Sequence, residues 1–138
     1  MIADLEAATL AELIAAAKEA SKRAYSPYSR FRVGAAILTA QGAIHSGCNV
    51  ENASYGLTVC AERNAVFRAV AHGSLSIRAV VVYTPTPTPT APCGACRQVI
   101  NEFGPAARVL CVCDGPDRLD TTMAALLPDA FGPMNLGR

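Results

Sequence analysis

The chain has 138 residues, about half of them apolar and only 17% charged, with a formal net charge of +1. That length buries one working core without disulfide staples, and the absence of a basic block argues against a nucleic-acid groove or an anionic-membrane patch and favours a small, nearly neutral ligand. Asp4 and Glu6 stand where a leader would carry basic residues and no apolar run approaches a membrane span, so a single cytoplasmic domain over 1–138 is expected. In that compartment the six cysteines act as thiols, metal ligands or core residues.

Thr9-Leu10-Ala11-Glu12 has capping-box spacing, and Leu10, Leu13, Ile14, Ala17, Ser21 and Ala24 recur on one face of an amphipathic helix. Tyr25-Ser26-Pro27-Tyr28-Ser29 ends it, because Pro27 lacks an amide donor and disfavours helix at Ser26. The apolar stretch Phe31 to Leu38 reads as a strand, and Gln41-Gly42 turns it into a second strand ending near Cys48. Asn49 to Gly56 is polar and irregular. Ala61 to Ala71 is a helix stopped by His72-Gly73.

Ala79 to Tyr83 is a continuous apolar run of the kind covered on both faces, which predicts parallel neighbours. From Thr84 to Thr90 threonine alternates with Pro85, Pro87 and Pro89, the composition of a stiff polyproline-like connector. A third helix is expected from Gly94 to just before Gly104, and Arg108 to Cys113 is a further buried strand. Helix alternating with strand indicates an α/β layered domain.

The strongest chemical signal is Cys60-Ala61-Glu62-Arg63 followed by Pro92-Cys93-Gly94-Ala95-Cys96-Arg97-Gln98. Both clusters fall at helix starts, where free amides and the positive end of the helix dipole favour the thiolate that a metal needs. Cys93 and Cys96 lie one turn apart and can aim at one point, with Cys60 as a third corner. Three soft ligands suit Zn2+, one per subunit, and leave a tetrahedral position open for water, as in catalytic sites. A lone Cys-x-x-Cys pair would equally fit a redox couple or half of a structural zinc site. Cys60 with Glu62 beside it tips the balance to a catalytic metal.

Glu62, two residues past Cys60, leaves the helix start in another direction and can face the open position as a general acid/base; its bland alternative is a first-turn acid favoured by the helix dipole. Arg63 is placed to donate to thiolate sulfur and offset the excess negative charge, whereas Arg97 reads as exposed and structural. Cys48, Cys111 and Cys113 read as core or strand residues.

These motifs, with Phe31-Arg32-Val33-Gly34-Ala35-Ala36, Gly47-Cys48-Asn49-Val50-Glu51-Asn52-Ala53-Ser54-Tyr55-Gly56 and Leu126-Leu127-Pro128-Asp129-Ala130-Phe131, resemble the cytidine deaminase family, specifically its small, all-cysteine, homotetrameric branch. The likeness runs from about Tyr25 to Phe131. It implies a three-layer fold with a mixed central sheet of about five strands flanked by helices. It implies hydrolytic deamination of cytidine and deoxycytidine in pyrimidine salvage, with Glu62 relaying protons at a zinc held by Cys60, Cys93 and Cys96.

The same resemblance puts Asn49 and Glu51 on the ribose hydroxyls with Val50 pointing inward between them. It puts Phe31 against the base, the Ala61 amide on the pyrimidine carbonyl, and Tyr55 and Phe131 at a site shared between subunits. The partners implied are a small nucleoside and further copies of the chain, with no nucleic acid and no membrane. Alternatives of other classes are a nucleic-acid cytosine deaminase, which the near-neutral charge disfavours, a noncatalytic zinc module, which Glu62 disfavours, and a deaminase of a related cytosine nucleoside antibiotic, which the Asn49/Glu51 pair disfavours.

Overall fold

The computed structural model describes residues 5–138, so Met1 to Asp4, part of the acidic start, lie outside the described residues. Helix α1, Ala7–Ser21, begins after Glu6 without a side-chain cap, so Thr9 sits inside the first turn and the capping box expected there is not used. Ala7 and Ala8 are strong helix formers, and the Leu10 amide already bonds to the Glu6 carbonyl at 3.0 Å, which carries the N-cap three residues further back, from Thr9 to Glu6. Lys22 closes the helix, so Ala24 is buried from the segment beyond it.

Strand β1, Gly34–Thr39, starts three residues later than Phe31. The reason is local: the Phe31 carbonyl and Val33 amide are bonded by the Asn49 side chain instead of by a ladder. Gly42, at φ +89°, turns the chain into β2, Ile44–Cys48, antiparallel to β1. The chain then passes through a short 3-10 turn, Tyr55–Leu57, to α2, Ala61–Ala71, which ends at His72 with Gly73 in the left-handed region at φ +90°.

Strand β3, Ile77–Tyr83, is central in the order β2-β1-β3-β4-β5. It pairs antiparallel with β1 and parallel with β4, Arg108–Val112, so the all-parallel surroundings expected for it are half corrected. Its apolar run reflects cover on both faces rather than strand direction. Helix α3, Gly94–Phe103, links β3 to β4; β5, Leu119–Thr122, and a short α4, Met123–Leu126, complete the order and lie where no periodic pattern pointed to them.

Side chains alternate across the sheet. Ala36, Leu38, Ala79, Val81 and Leu110 pack on Leu13 and Ala17 of α1, while Ala35, Ile37, Val80, Val82 and Val109 pack on Ala65, Val66 and Ile100 of the opposite helices. The result is the three-layer α/β architecture, a mixed five-stranded sheet with helices on both faces. The topology also places the site. β2-α2-β3 and β3-α3-β4 are both parallel crossovers, so α2 and α3 each begin beyond the same end of the sheet.

The segment from Thr84 to Thr90 is not a straight polyproline rod but a bent one. The Thr84 and Thr86 hydroxyls meet at 2.7 Å, Thr86 donates to the Thr88 carbonyl at 2.7 Å, and the Asp114 amide bonds to the Thr86 carbonyl at 2.9 Å. Threonine side chains satisfy the bends, which the composition alone does not disclose. No described helix is long and apolar enough to cross a membrane.

Candidate metal centre and adjoining cavity

Cys60 and Cys93 are the N-cap residues of α2 and α3, and Cys96 lies in the first turn of α3. Their three sulfurs lie within 4.8 Å of one another, with Cys60 Sγ and Cys93 Sγ 3.8 Å apart. Tetrahedral bonds of about 2.3 Å to one zinc would set adjacent sulfurs about 3.8 Å apart, so the cluster fits a single zinc ion. No other group of three or more such ligands converges among the described residues, and none of the six cysteines is bridged.

The Cys60 thiol is pulled down to about 5, first by the hydrogen bond from Cys96 and then by those from Arg63 and Cys93, against the opposing effect of burial. Sharing with Cys60 drives Cys96 the other way, so within the cluster the negative charge falls first on the Cys60 sulfur. Arg63 Nη2 lies 3.5 Å from Cys60 Sγ and 3.4 Å from the Thr58 carbonyl, where it offsets that charge, while its Nε is buried without a partner. Arg97 departs from the exposed role expected of it. It is half-buried, with Nε on the Pro92 carbonyl at 2.8 Å and Nη1 on the Leu126 carbonyl at 3.0 Å, tying the start of α3 to α4.

Glu62 is 5% exposed in the first turn of α2, and burial raises its carboxyl to about 7. It lines a cavity of about 180 Å³ together with Cys60, Cys93, Ala61, Phe31, Asn49 and Glu51. The structure thus brings seven of the site residues named from the sequence to the wall of a single cavity, while Arg63, Tyr55 and Phe131 do not line it. Cys96 stands behind the wall, fully buried.

Asn49 and Glu51 are both held by the segment they support. Asn49 Oδ1 accepts from the Val33 amide at 2.9 Å and its Nδ2 donates to the Phe31 carbonyl at 2.7 Å. Glu51 accepts from the Tyr28 and Ser29 amides at 2.9 and 3.1 Å and from the Ser29 hydroxyl, and these bonds keep its carboxyl below the usual range. One acceptor direction on each, and one amide hydrogen on Asn49, remain for a ligand. Val50 between them is 44% exposed and bridges Tyr25 and Val59, not inward as expected.

Ser29, Glu51 and Thr58 also line an adjoining cavity of about 310 Å³ with Tyr28 and Tyr55, whose rings are 5.8 Å apart. Tyr55 is 75% exposed there. Phe131, 58% exposed, lines neither cavity; its carbonyl accepts from Gln98 Nε2 at 2.9 Å. Ser29, Thr58, Val82, Thr84, Thr90 and Ala91 line the first cavity without having been singled out. No periodic signal in the sequence marks Ser29, which lies in the turn that begins at Pro27.

The pattern of the family described as the cytidine and deoxycytidylate deaminase zinc-binding region matches residues 8–113. A cytidine deaminase of Sporosarcina psychrophila is 50% identical over 127 residues, which are 91% of this chain and 93% of that one. One from Halalkalibacterium halodurans is 48% identical over 120 residues, 86% of this chain and 91% of that one. The crystal structure of cytidine deaminase from Burkholderia pseudomallei superposes with a TM-score of 0.84 at 51% identity, covering 88% of this chain and 98% of that one.

Proposed function

The chain belongs to the cytidine deaminase family, and from that premise we propose how its residues divide the work: it is a zinc-dependent hydrolase that converts cytidine to uridine and ammonia, and deoxycytidine correspondingly. The carrying observation is the buried Glu62 carboxyl on the wall of the same cavity as the Cys60 and Cys93 sulfurs. Zinc, once held by Cys60, Cys93 and Cys96, supplies a Lewis acid that lowers the pKa of a water.

Glu62 accepts a proton from that water and passes it to N3 of the base, which makes C4 more electrophilic. The oxygen adds at C4. Glu62 then takes the remaining proton from that oxygen and delivers it to the exocyclic amine, so that the C4–N bond breaks as the C4 carbonyl forms and ammonia leaves. Phe31 lays its ring on the pyrimidine, and the Ala61 amide at the start of α2 receives the base carbonyl.

The cavity of about 180 Å³ beside the cysteines suits the base, and the adjoining one of about 310 Å³ suits the sugar, with Glu51 on the wall of both. The spare acceptors of Asn49 and Glu51 take the ribose hydroxyls. Arg63 holds the charge of the thiolates in check. The assembly is a homotetramer with Tyr55 and Phe131 at shared sites, a reading supported by the exposure of both and of Leu57 and Phe67. The enzyme works in the cytoplasm, in pyrimidine salvage, on small nucleosides and not on nucleic acid or membranes.

The test is ammonia release from cytidine, deoxycytidine, cytosine, cytidine monophosphate and a cytosine-bearing oligonucleotide by the zinc-loaded protein. Turnover of the two nucleosides is expected. Glu62→Ala should keep about one zinc per chain yet lose roughly 10²- to 10⁴-fold in kcat. No turnover of cytidine by the zinc-loaded protein, or near-normal turnover by Glu62→Ala, would refute the reading.

A further inference from the structure

Residues 29–33 leave the turn at 27–29 through Arg30 and run into β1, and their side chains divide between two cavities. Ser29, Phe31 and Val33 line the base cavity, while Arg30 and Arg32 line a different cavity of about 500 Å³ with Ala24, Tyr25, Ser26 and Pro27. The two cavities share no lining residue.

The second cavity is cationic. Lys22, Arg23, Arg30 and Arg32 are the charged residues from 22 to 32, and none is an acid. Glu19 pairs with Lys22 at 3.0 Å and Arg23 at 3.8 Å, and among the described residues no acid pairs with either arginine of the cavity. Arg32 is anchored through Nη1 on the Lys22 carbonyl at 2.9 Å, and this fixes the rest of its donor fork. The Arg30 guanidinium has no partner among the described residues.

Arg30 also has φ +57°, a left-handed conformation that a glycine or asparagine would adopt at less cost; its amide is held on the Ser26 carbonyl at 2.9 Å. A long cation kept in a strained backbone position at the rim of a cavity is the arrangement of a ligand clamp. Paired guanidinium forks match phosphate oxygens in geometry and charge.

We infer that Arg30 and Arg32 form an oxyanion site for phosphate or a phosphomonoester, and that occupying it alters nucleoside affinity by shifting Phe31, the residue between them. The coupling path is short. The Phe31 carbonyl and the Val33 amide are both clamped by Asn49, itself 7% exposed and on the wall of the base cavity, so the backbone between the two arginines cannot move without moving the Phe31 ring. This coupling rests on Phe31 contacting the base, as proposed above; the oxyanion site itself does not.

Calorimetric titration of the zinc-loaded protein with inorganic phosphate and, separately, ribose 5-phosphate at constant ionic strength tests the site without reference to turnover. Saturable binding with Kd on the order of 1 mM is expected, weakening as chloride is raised. Tighter binding of ribose 5-phosphate than of phosphate would assign the site to phosphomonoesters, and equal binding to the free ion. R30Q/R32Q should weaken binding about 10-fold or more, and R30G should weaken it too while relaxing the backbone. Steady-state kinetics should show phosphate changing the KM for cytidine about 2- to 5-fold, with little change in kcat, in the parent protein and not in R30Q/R32Q. Absence of saturable binding, or equal binding by R30Q/R32Q, would overturn the site; binding that left KM unchanged would overturn its coupling to the nucleoside.

Discussion

Gly47→Ala probes how the sheet sets the metal centre. A Cβ at position 47 would stand 2.5 Å from the Ala65 nitrogen, 2.8 Å from the Ala61 oxygen and 3.0 Å from the Asn64 carbonyl carbon, all backbone of α2. No side chain can swing away, so helix and strand must part by roughly 0.5–1 Å, a gap that forfeits a quarter to a half of the dispersion energy across it. Overpacking of this kind costs about 1–3 kcal/mol, or roughly 3–15 °C in Tm for a domain of this size. The helix that moves starts at Cys60 and carries Glu62, while Cys93 and Cys96 stay on α3. Displacement of about 1 Å at a reacting group can cost on the order of 10²-fold in rate, so kcat should fall further than stability alone explains. Thermal unfolding, zinc content and kcat at a temperature where the variant is folded measure the three effects. Gly56→Ala, where a Cβ meets nothing within 4 Å, is the control. A Gly47→Ala protein with unchanged Tm and kcat would refute this account of how α2 is seated.

Removing zinc with a tight chelator should lower Tm, because a ligand bound only by the folded state and present at about 1,000 times its Kd stabilises by about 4 kcal/mol; an unchanged melting curve would count against metal joining α2 to α3. Cys93→Ala should lose stoichiometric zinc, read by elemental analysis, and normal content would exclude Cys93 as a ligand. Asp120 lies 2.6 Å from Arg108 Nη2, which holds its carboxyl below the ordinary value, so the folded chain gives up this proton more readily than the unfolded one. The stability this contributes is present above about pH 4 and lost as pH falls through the folded pKa, and because Asp120 is 43% exposed it amounts to about 1 kcal/mol or less. Asp120→Asn should flatten denaturant midpoints across that window; an unaltered slope would assign the acid sensitivity elsewhere. Thr84→Val keeps the shape of a cavity wall but removes the hydroxyl shared with Thr86, so KM for cytidine should rise more than kcat falls; a fall in kcat with KM unchanged would place Thr84 in the chemical step.

The helices that carry the cysteines were legible because their signals are local. Ala61 to Ala71 with His72-Gly73, and Gly94 to Phe103 before Gly104, contain both the helix-forming run and its stop, and both match the observed bounds. Thr9 misled because a capping box loses to two preceding alanines, and Phe31 misled because a side chain, Asn49, replaced the ladder that a strand pattern presumes. The direction of β1 against β3 is a property of the β1-β2 hairpin, which reverses the chain before α2 returns it, and no periodicity within β3 records that. β5 alternates too briefly to register, and the threonines of the connector bond to each other through bends that the prolines alone do not reveal.

Three thiolates would overcharge the site without the two helix starts and Arg63, to which the spacing already points. Each added sulfur anion makes a bound water harder to deprotonate, so the protein must supply positive potential without filling the last coordination position. Two of the three sulfurs belong to N-cap residues and the third to a first turn, where the free amides of α2 and α3 face the cluster. Arg63 adds a full charge 3.5 Å from Cys60 Sγ. Glu62 shares the helix terminus yet its carboxyl is raised by burial, so the same amides that steady the thiolates do not hold it permanently ionised. A crossover topology that starts both helices at one end of the sheet therefore supplies ligand positions and counter-charge from the same backbone, and leaves free the carboxyl to which we assign the proton chemistry.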